Sequence, residues 1–280
     1  MVVKIVTDSS ADLPEKIIKE MDITVVPLYV RFGEQVYRDR VDISEDEFYQ
    51  RLTRDSIHPS TIQPSPQDFS TVYKKLAKEA DGIVSIHISN KLSGTWNSAM
   101  QAKGSINEFP IEVIDSKVLS SGLGLIVISA AKLAMGGTKF SEIVKYINSA
   151  ITRVHLEGLL DTLKYLALGG RIGKAKHLVG SLLNIKPVLT LKDGEVMPAG
   201  QVRSRSKGID RLFEFAKSGN NIQDLSIAYN TTPEEATALA ERVGAAKIID
   251  TNKIILARIG PMLGVHMGPG TIIVSYLEKP

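Results

Sequence analysis

Ser93, Gly94 and Thr95 follow a β-branched, mostly apolar run at 83–88 after the four residues Ser89-Asn90-Lys91-Leu92, and precede a segment of helical character at 96–102. At such a junction the first N–H groups of the helix lack partners within it, and the helix dipole leaves the point mildly positive. Two small hydroxyls around a residue with no side chain mark a place that could receive an anion. The plainer reading of Ser93 is a helix cap. A second polar segment is "STIQPSPQDF", residues 60–69, where two prolines stiffen the chain and Ser60, Thr61, Gln63 and Ser65 crowd it with short polar groups. Ser65, just before Pro66, is explained as an N-cap. Thr61 has no such task, and a free hydroxyl on a rigid loop suits a ligand clamp.

Two further side chains have the chemistry to meet an anion. Arg171 stands among the glycines of "LGGRIGK", and its planar fork can donate to two oxygens at once. His266 falls in "LGVHMGPGT", expected as a Gly-Pro-Gly turn between two strands, where glycine lets the backbone come close to a cleft. For each, the default reading of the residue alone is an ordinary surface group on a loop. The cluster in "TDSSADLP", residues 7–14, is adequately explained by capping. If His266 acted as general base with Arg171 as anion clamp, the chain would be a small-molecule phosphotransferase or hydrolase.

Motifs for nucleotide or metal chemistry do not support that enzyme reading. "GGRIGKAK" lacks the spacing and the Ser/Thr of a P-loop, "GLG" at 122–124 lacks the third glycine of a dinucleotide fingerprint, and neither Gly-x-Ser-x-Gly nor His-Glu-x-x-His occurs. The 5 histidines are scattered and cysteine is absent, so no metal, no cofactor and no thiolate nucleophile is expected. With 34 basic against 31 acidic side chains and no basic run, nucleic acid is not an expected partner. The apolar stretches are too short to span a membrane and no secretory h-region is evident, which predicts a cytoplasmic protein.

These residues must be placed by an alternation of strands and helices. Strands are expected at 2–7, 23–32, 83–88 and 111–115, and helices at 14–21, 44–54, 66–80, 96–102, 121–134 and 139–152, with a hairpin or small excursion at 33–43. Strands separated by such helices imply a mostly parallel sheet, an α/β/α sandwich. Beyond about residue 152 the pattern changes to strands at 154–160, 225–229, 247–250, 254–259 and 271–276, a hairpin at 187–203 around Lys192-Asp193-Gly194, and helices at 162–168, 173–183, 205–217 and 233–243. The expected fold is therefore two α/β domains, 1–152 with the parallel sheet and 153–280 of α+β type with a mixed or antiparallel sheet.

Taken in order, "TDSSADLP", "STIQPSPQDF", "SIHISNKLSGTWNSA", "DTLKYLALGGRIG" and "GVHMGPG" resemble the DegV family of bacterial fatty-acid-binding proteins over about 3–276. The resemblance implies two α/β domains holding a long-chain, palmitate-like fatty acid between them. It also implies a protein without catalysis of its own, the binding subunit of an ATP-dependent fatty acid kinase that makes the acyl-phosphate. Carried over residue by residue, Thr61 and Ser93 grip the carboxylate, the backbone at Gly94 and Thr95 lies nearby, and Arg171 and His266 fall near the head-group. Ile62 stands where a serine is common, which removes a side-chain role at that position. The carrier reading is also compatible with transient contact with a membrane and with a lipid-sensing role.

Overall fold

The computed structural model describes residues 2–106, 108–178 and 185–280. The first part of the chain builds a fully parallel four-stranded sheet from β1 (Val3–Asp8), β2 (Ile23–Val26), β6 (Gly82–His87) and β7 (Ile111–Asp115), in the order β2-β1-β6-β7. After β1 the chain passes through α1 (Glu15–Glu20) to the strand on one side, whereas β6 and β7 lie on the other. The carboxyl ends of β1 and β6 therefore feed connections that diverge, which is where an open α/β sheet leaves a ligand crevice. The segment carrying Ser93 leaves β6 at this point.

A continuous strand expected at 23–32 is instead two strands in different sheets. Pro27 has no N–H to give a ladder, so the chain leaves the parallel sheet there, and the Leu28 N–H is taken by Ser9 Oγ at 3.0 Å. The second piece, β3 (Tyr29–Phe32), forms a hairpin with β4 (Gln35–Arg38) through a turn at Gly33, φ +58°. With β5 (Ser60–Ile62) on its other side it makes a small antiparallel sheet in which Thr61 lies opposite Val30. Thr61 is thus on a strand rather than a loop. Helix α2 (Glu45–Arg54), capped by Ser44, runs between β4 and β5 in the chain, and α3 (Pro66–Leu76) opens on a Ser65–Asp68 capping box.

From Val154 onward the strands form one six-stranded sheet, β10-β9-β8-β13-β11-β12, antiparallel except for the β11–β12 pair. Its members are β8 (Val154–Leu159), β9 (Lys186–Lys192), β10 (Glu195–Val202), β11 (Ile222–Tyr229), β12 (Ile254–Arg258) and β13 (Ile272–Glu278). The strand expected at 247–250 is absent: Lys247 has φ +56° and its N–H closes back on Gly244, so these residues terminate the preceding helix. The helix expected at 162–168 is α7 (Lys164–Leu168); of the one expected at 173–183, Gly173–Leu178 is a 3-10 helix and the remainder lies outside the described residues.

Helices separate and cover the two large sheets. In α5 (Ser120–Met135) every residue from Ser120 to Ala131 is buried, and the helix packs on β1 as well as on β8, β11 and β13. A helix apolar on all sides fits only such a double-sided position. Helix α6 (Phe140–Ala150) lies beside it, α3 and α4 (Thr95–Gly104) cover the far face of the parallel sheet, and α8 (Arg205–Ser218) and α9 (Pro233–Ala245) pack in one cluster with β11 and β13. The mixed α/β architecture with a parallel and a mixed sheet agrees with the sequence reading.

Candidate functional site

Thr61, Ser93, Arg171 and His266, drawn from four distant stretches of chain, line one cavity. His266 is not in a turn, as its flanking glycines suggested, but in the last turn of a short helix, α10 (Pro261–Met267). Pro261 at the first position and Gly268 just beyond the last, at φ +71°, bracket that helix, a start and stop signal legible in the sequence. The side chain of His266 is 8 % exposed, and its Nε2 lies 3.0 Å from Thr61 Oγ1.

Burial, reinforced by the positive charge of Arg171 and by His58, pulls the imidazole down to about 4, so it is neutral at physiological pH. A neutral ring has one N–H and one bare nitrogen. Nδ1 is buried with no partner among the described residues. Leaving a lone pair unmatched costs less than leaving an N–H unmatched, which places the proton on Nε2. The Nε2–H then donates to Thr61 Oγ1, and the Thr61 hydroxyl proton is free to be donated into the cavity. A base of pKa about 4 whose second nitrogen has no orienting partner is poorly matched to proton abstraction near pH 7.

Ser93 lies just ahead of α4, whose N-cap is Gly94, so Ser93 does not occupy the capping position itself. Its Oγ accepts the Thr95 N–H at 3.3 Å and shares a 2.8 Å hydrogen bond with Thr95 Oγ1. Thr95 is fully buried and braces Ser93 from behind, while Gly94 faces an outer cleft that also includes Ser93, Arg171, Lys91, Lys174 and Glu195. Arg171 is exposed at the junction of the two spaces, with Nε donating to Leu92 O at 3.3 Å and Nη1 to Gly169 O at 2.9 Å. Carbonyls thus engage two of the five N–H groups of its guanidinium.

Gln63 joins this group although its motif alone gave it no role. It stands two residues from Thr61, lines the same cavity, and Nε2 donates to Ser98 Oγ at 3.3 Å. Its amide packs where a Cβ of residue 94 would be, 2.2 Å from Oε1, which explains the glycine in Ser-Gly-Thr. Two-residue spacing in extended chain was the signal that put Gln63 with Thr61. Ile62 between them is exposed and turned away.

The rest of the lining is apolar. Leu156, Gly158 and Leu160 come from β8 and the residue after it, Leu189 and Leu191 from β9, and Ile273 from β13; Met262, Leu263 and Met267 face them from α10. Leu28, Ile88, Leu92, Leu119, Leu166 and Val196 complete the walls. Thr190 is also there, but its hydroxyl is committed to Leu156 O at 2.8 Å. A handful of polar groups, joined through Thr61–His266, Gln63–Gly94 and Arg171–Leu92, thus meets a long greasy surface.

A glycine protects this geometry. A Cβ on Gly169 would sit 2.1 Å from His266 Nδ1, against a buried ring. Gly169→Ala should displace the ring from Thr61 and cost about 1–3 kcal/mol of stability, as overpacking does. Denaturant unfolding measures the loss, and an unchanged midpoint would show that the ring is loosely held.

Beneath the loop that carries Ser93 runs a second polar chain. Tyr73 OH donates to Ser85 Oγ at 2.7 Å, Ser85 meets His87 Nε2 at 2.7 Å, and His87 Nδ1 meets Asp8 Oδ2 at 2.9 Å. The order imitates a Ser-His-Asp triad, but all four side chains are fully buried and each donor is matched. Asp8 also accepts the Ile88 N–H at 3.1 Å, so the array fixes where β6 ends. Among the described residues no group of three or more potential ligands could hold a metal ion.

Comparison with known proteins gives one consistent result. Residues 2–279 match the family model described as "Uncharacterised protein, DegV family". A DegV domain-containing protein of Caldanaerobacter subterraneus is 34% identical over 278 residues, covering 99% of both chains. Among solved structures, the chain is similar to a DegV family protein of Thermus thermophilus described for its fatty acid binding, with TM-score 0.91 and 34% identity over 99% of this chain and 100% of that one. It is also similar to a stearic-acid-binding protein of Eubacterium ventriosum, with TM-score 0.90 and 30% identity over 99% and 98% of the two chains.

Proposed function

Since the chain belongs to the DegV family, we propose that it is a carrier for one long-chain, palmitate-like fatty acid, bound with its carboxylate at Thr61 and Ser93. The observation that carries this reading is the single cavity in which two hydroxyls from separate segments meet walls of leucine, isoleucine and methionine. About fourteen methylenes leaving water are worth roughly 11 kcal/mol at about 0.8 kcal/mol each, before the costs of association. The tail supplies affinity. The head-group must still be matched, because an unpaired buried anion costs several kcal/mol. Thr61, oriented by the neutral His266, and Ser93, braced by Thr95, donate one O–H each without a permanent ion pair, and Arg171 adds positive potential at the opening.

Further parts of the reading follow from that pose. The outer cleft with Lys91, Arg171 and Lys174 adjoins the head-group end, which suits access by an ATP-using kinase subunit that phosphorylates the carboxylate while the tail stays buried. Exposed Ile57 and Leu168 flank the His58–Tyr165 ring contact, an apolar surface suited to transient contact with a membrane. The carrier then works in the cytoplasm, and no helix among the described residues is long and apolar enough to cross a membrane. Division into domains 1–152 and 153–280 is supported by each large sheet drawing strands from only one side of that point.

Organic-solvent extraction of the purified protein followed by mass spectrometry tests the proposal. A near-stoichiometric long-chain fatty acid is the expected extract. A purely polar or empty extract that persists after incubation with palmitate would overturn it.

A further inference from the structure

The two ends of α10 do different work. Its last turn presents His266 to Thr61, and at seven residues it is only about 10 Å long at 1.5 Å per residue. The backbone at its first turn is gripped from the other part of the chain. Asp12 Oδ1 accepts the Gly260 N–H at 2.8 Å, Asp39 Oδ1 accepts the Met262 N–H at 3.4 Å, Tyr49 OH donates to Ile259 O at 3.0 Å, and Arg40 Nη2 donates to Arg258 O. A Cβ on Gly260 would lie 2.8 Å from Arg40 Nε, 3.3 Å from Asp39 Oδ1 and 3.4 Å from Asp12 Oδ1, so glycine lets these charges close on the backbone. Asp12 and Asp39 are each 1% exposed.

We infer that Asp12 and Asp39 are positioning residues for the head-group site, acting through α10 on His266 and Thr61, so that ligand binding there follows the protonation of this remote carboxyl pair. The inference rests on the fatty-acid reading for the identity of the ligand.

Every polar neighbour of Asp12 in contact with it is a donor: Gly260 N–H, Ser120 Oγ at 2.6 Å and Arg40 Nη2 at 3.3 Å. That set fits a carboxylate, which only accepts, and a proton on Asp12 would put a further donor among them. Arg40 faces both carboxyls and Glu45, whose Oε1 is 3.4 Å from Arg40 Nε. Ser9 and Tyr49 complete the surroundings, and Arg258 from β12 pairs with Asp46 at 2.5 Å. Against these partners, burial is the larger influence and raises Asp12 to about 7 and Asp39 to about 6, with Arg40 opposing it in both. His266, at about 4, does not titrate in that range.

Two consequences have opposite sign. Both are acids whose folded value exceeds the unfolded one, so their contribution to overall stability is fully present below the unfolded value of 3.8 and is lost as pH rises through about 6 and 7. The grip on α10 changes the other way, because an ionised carboxylate makes stronger hydrogen bonds to the Gly260 and Met262 amides. A role confined to stability would show only the first.

The experiment measures displacement of a fluorescent fatty acid by palmitate between pH 5.5 and 8, and in parallel hydrogen exchange at residues 260–267 without lipid. In the wild type, affinity should rise about three- to tenfold across this range, a size typical of coupling between sites, and amide protection should rise with it. Asp12→Asn and Asp39→Asn should flatten both curves. Profiles in the two variants that match the wild type, in binding or in exchange, would overturn the inference. Absence of palmitate binding at every pH would strike the carrier reading alone, and the exchange curves would still decide this one.

Discussion

Replacing Thr61 and Ser93 together by alanine should weaken palmitate binding at least 100-fold while leaving the fold intact. A hydrogen bond to a charged group is worth about 1.5–3 kcal/mol, so two of them amount to roughly two to four powers of ten. The double substitution also frees two donors, the His266 Nε2–H and the Thr95 hydroxyl, which can recover part of the loss, so the expected effect falls at the lower end of that range. Neither substitution opens a core cavity, because both side chains are only half-buried and border the binding space. Isothermal titration on the single and double variants separates the contributions. Thr61→Ala also releases the His266 Nε2–H, which can donate to the carboxylate in its place, so alone it should cost much less than the double substitution. Unchanged affinity in the double variant, with the same unfolding midpoint, would remove the carboxylate from this end of the cavity.

Much of this site could be read before any coordinates existed, and the parts that could not have a common cause. Ser93 and Thr61 stood out because hydroxyls beside a glycine and between prolines are locally odd, and local oddness is visible in one dimension. The family resemblance then joined them. His266 was found for the right residue and the wrong reason: its segment looked like a glycine turn, whereas Pro261 and Gly268 enclose a helix too short for hydrophobic periodicity to register. Two-residue spacing puts Gln63 on the side of Thr61, but its partner is the empty space at Gly94, thirty-one positions away, and that steric match leaves no pattern in either segment.

The same distinction governs the fold. Alternating strands and helices, the hairpin at Asp193-Gly194 and the Ser65 cap were all legible, since each depends on neighbours in sequence. The break at Pro27 was not, although proline was in plain view, because an apolar run on both sides of it fits one long strand as well as two. Nor could the burial of the Asp12, Asp39 and Arg40 cluster be foreseen. "TDSSADLP" reads as capping, and Asp8 does cap the turn Ser9–Ala11, but Asp12 caps an unrelated helix 248 positions later. A carboxylate that caps locally and one that caps across the molecule look the same in sequence.

Gly158 offers the sharpest test of where the acyl tail runs. It lies in the interior of β8 opposite Ile273, in a sheet whose neighbouring positions carry full-sized side chains, and glycine there weakens a strand. The nearest atoms to a Cβ at 158 would be Ile273 Cγ1 at 3.4 Å, Leu160 Cδ1 at 3.7 Å and Ile272 O at 3.9 Å, ordinary contacts, so the missing side chain leaves room inside the cavity rather than relieving a clash. Gly158→Leu should therefore fold, and should even gain from the better strand propensity. Its four added carbons take the place of about that many methylenes of ligand, worth roughly 3 kcal/mol at about 0.8 kcal/mol each. Palmitate affinity should then fall about 100-fold, while an acid about four carbons shorter should bind nearly as it does to the wild type. Competition binding across a series of saturated acids measures this directly. A parallel loss at every chain length would mean that the leucine disturbs the head-group instead, and no loss at any length would place the tail away from β8.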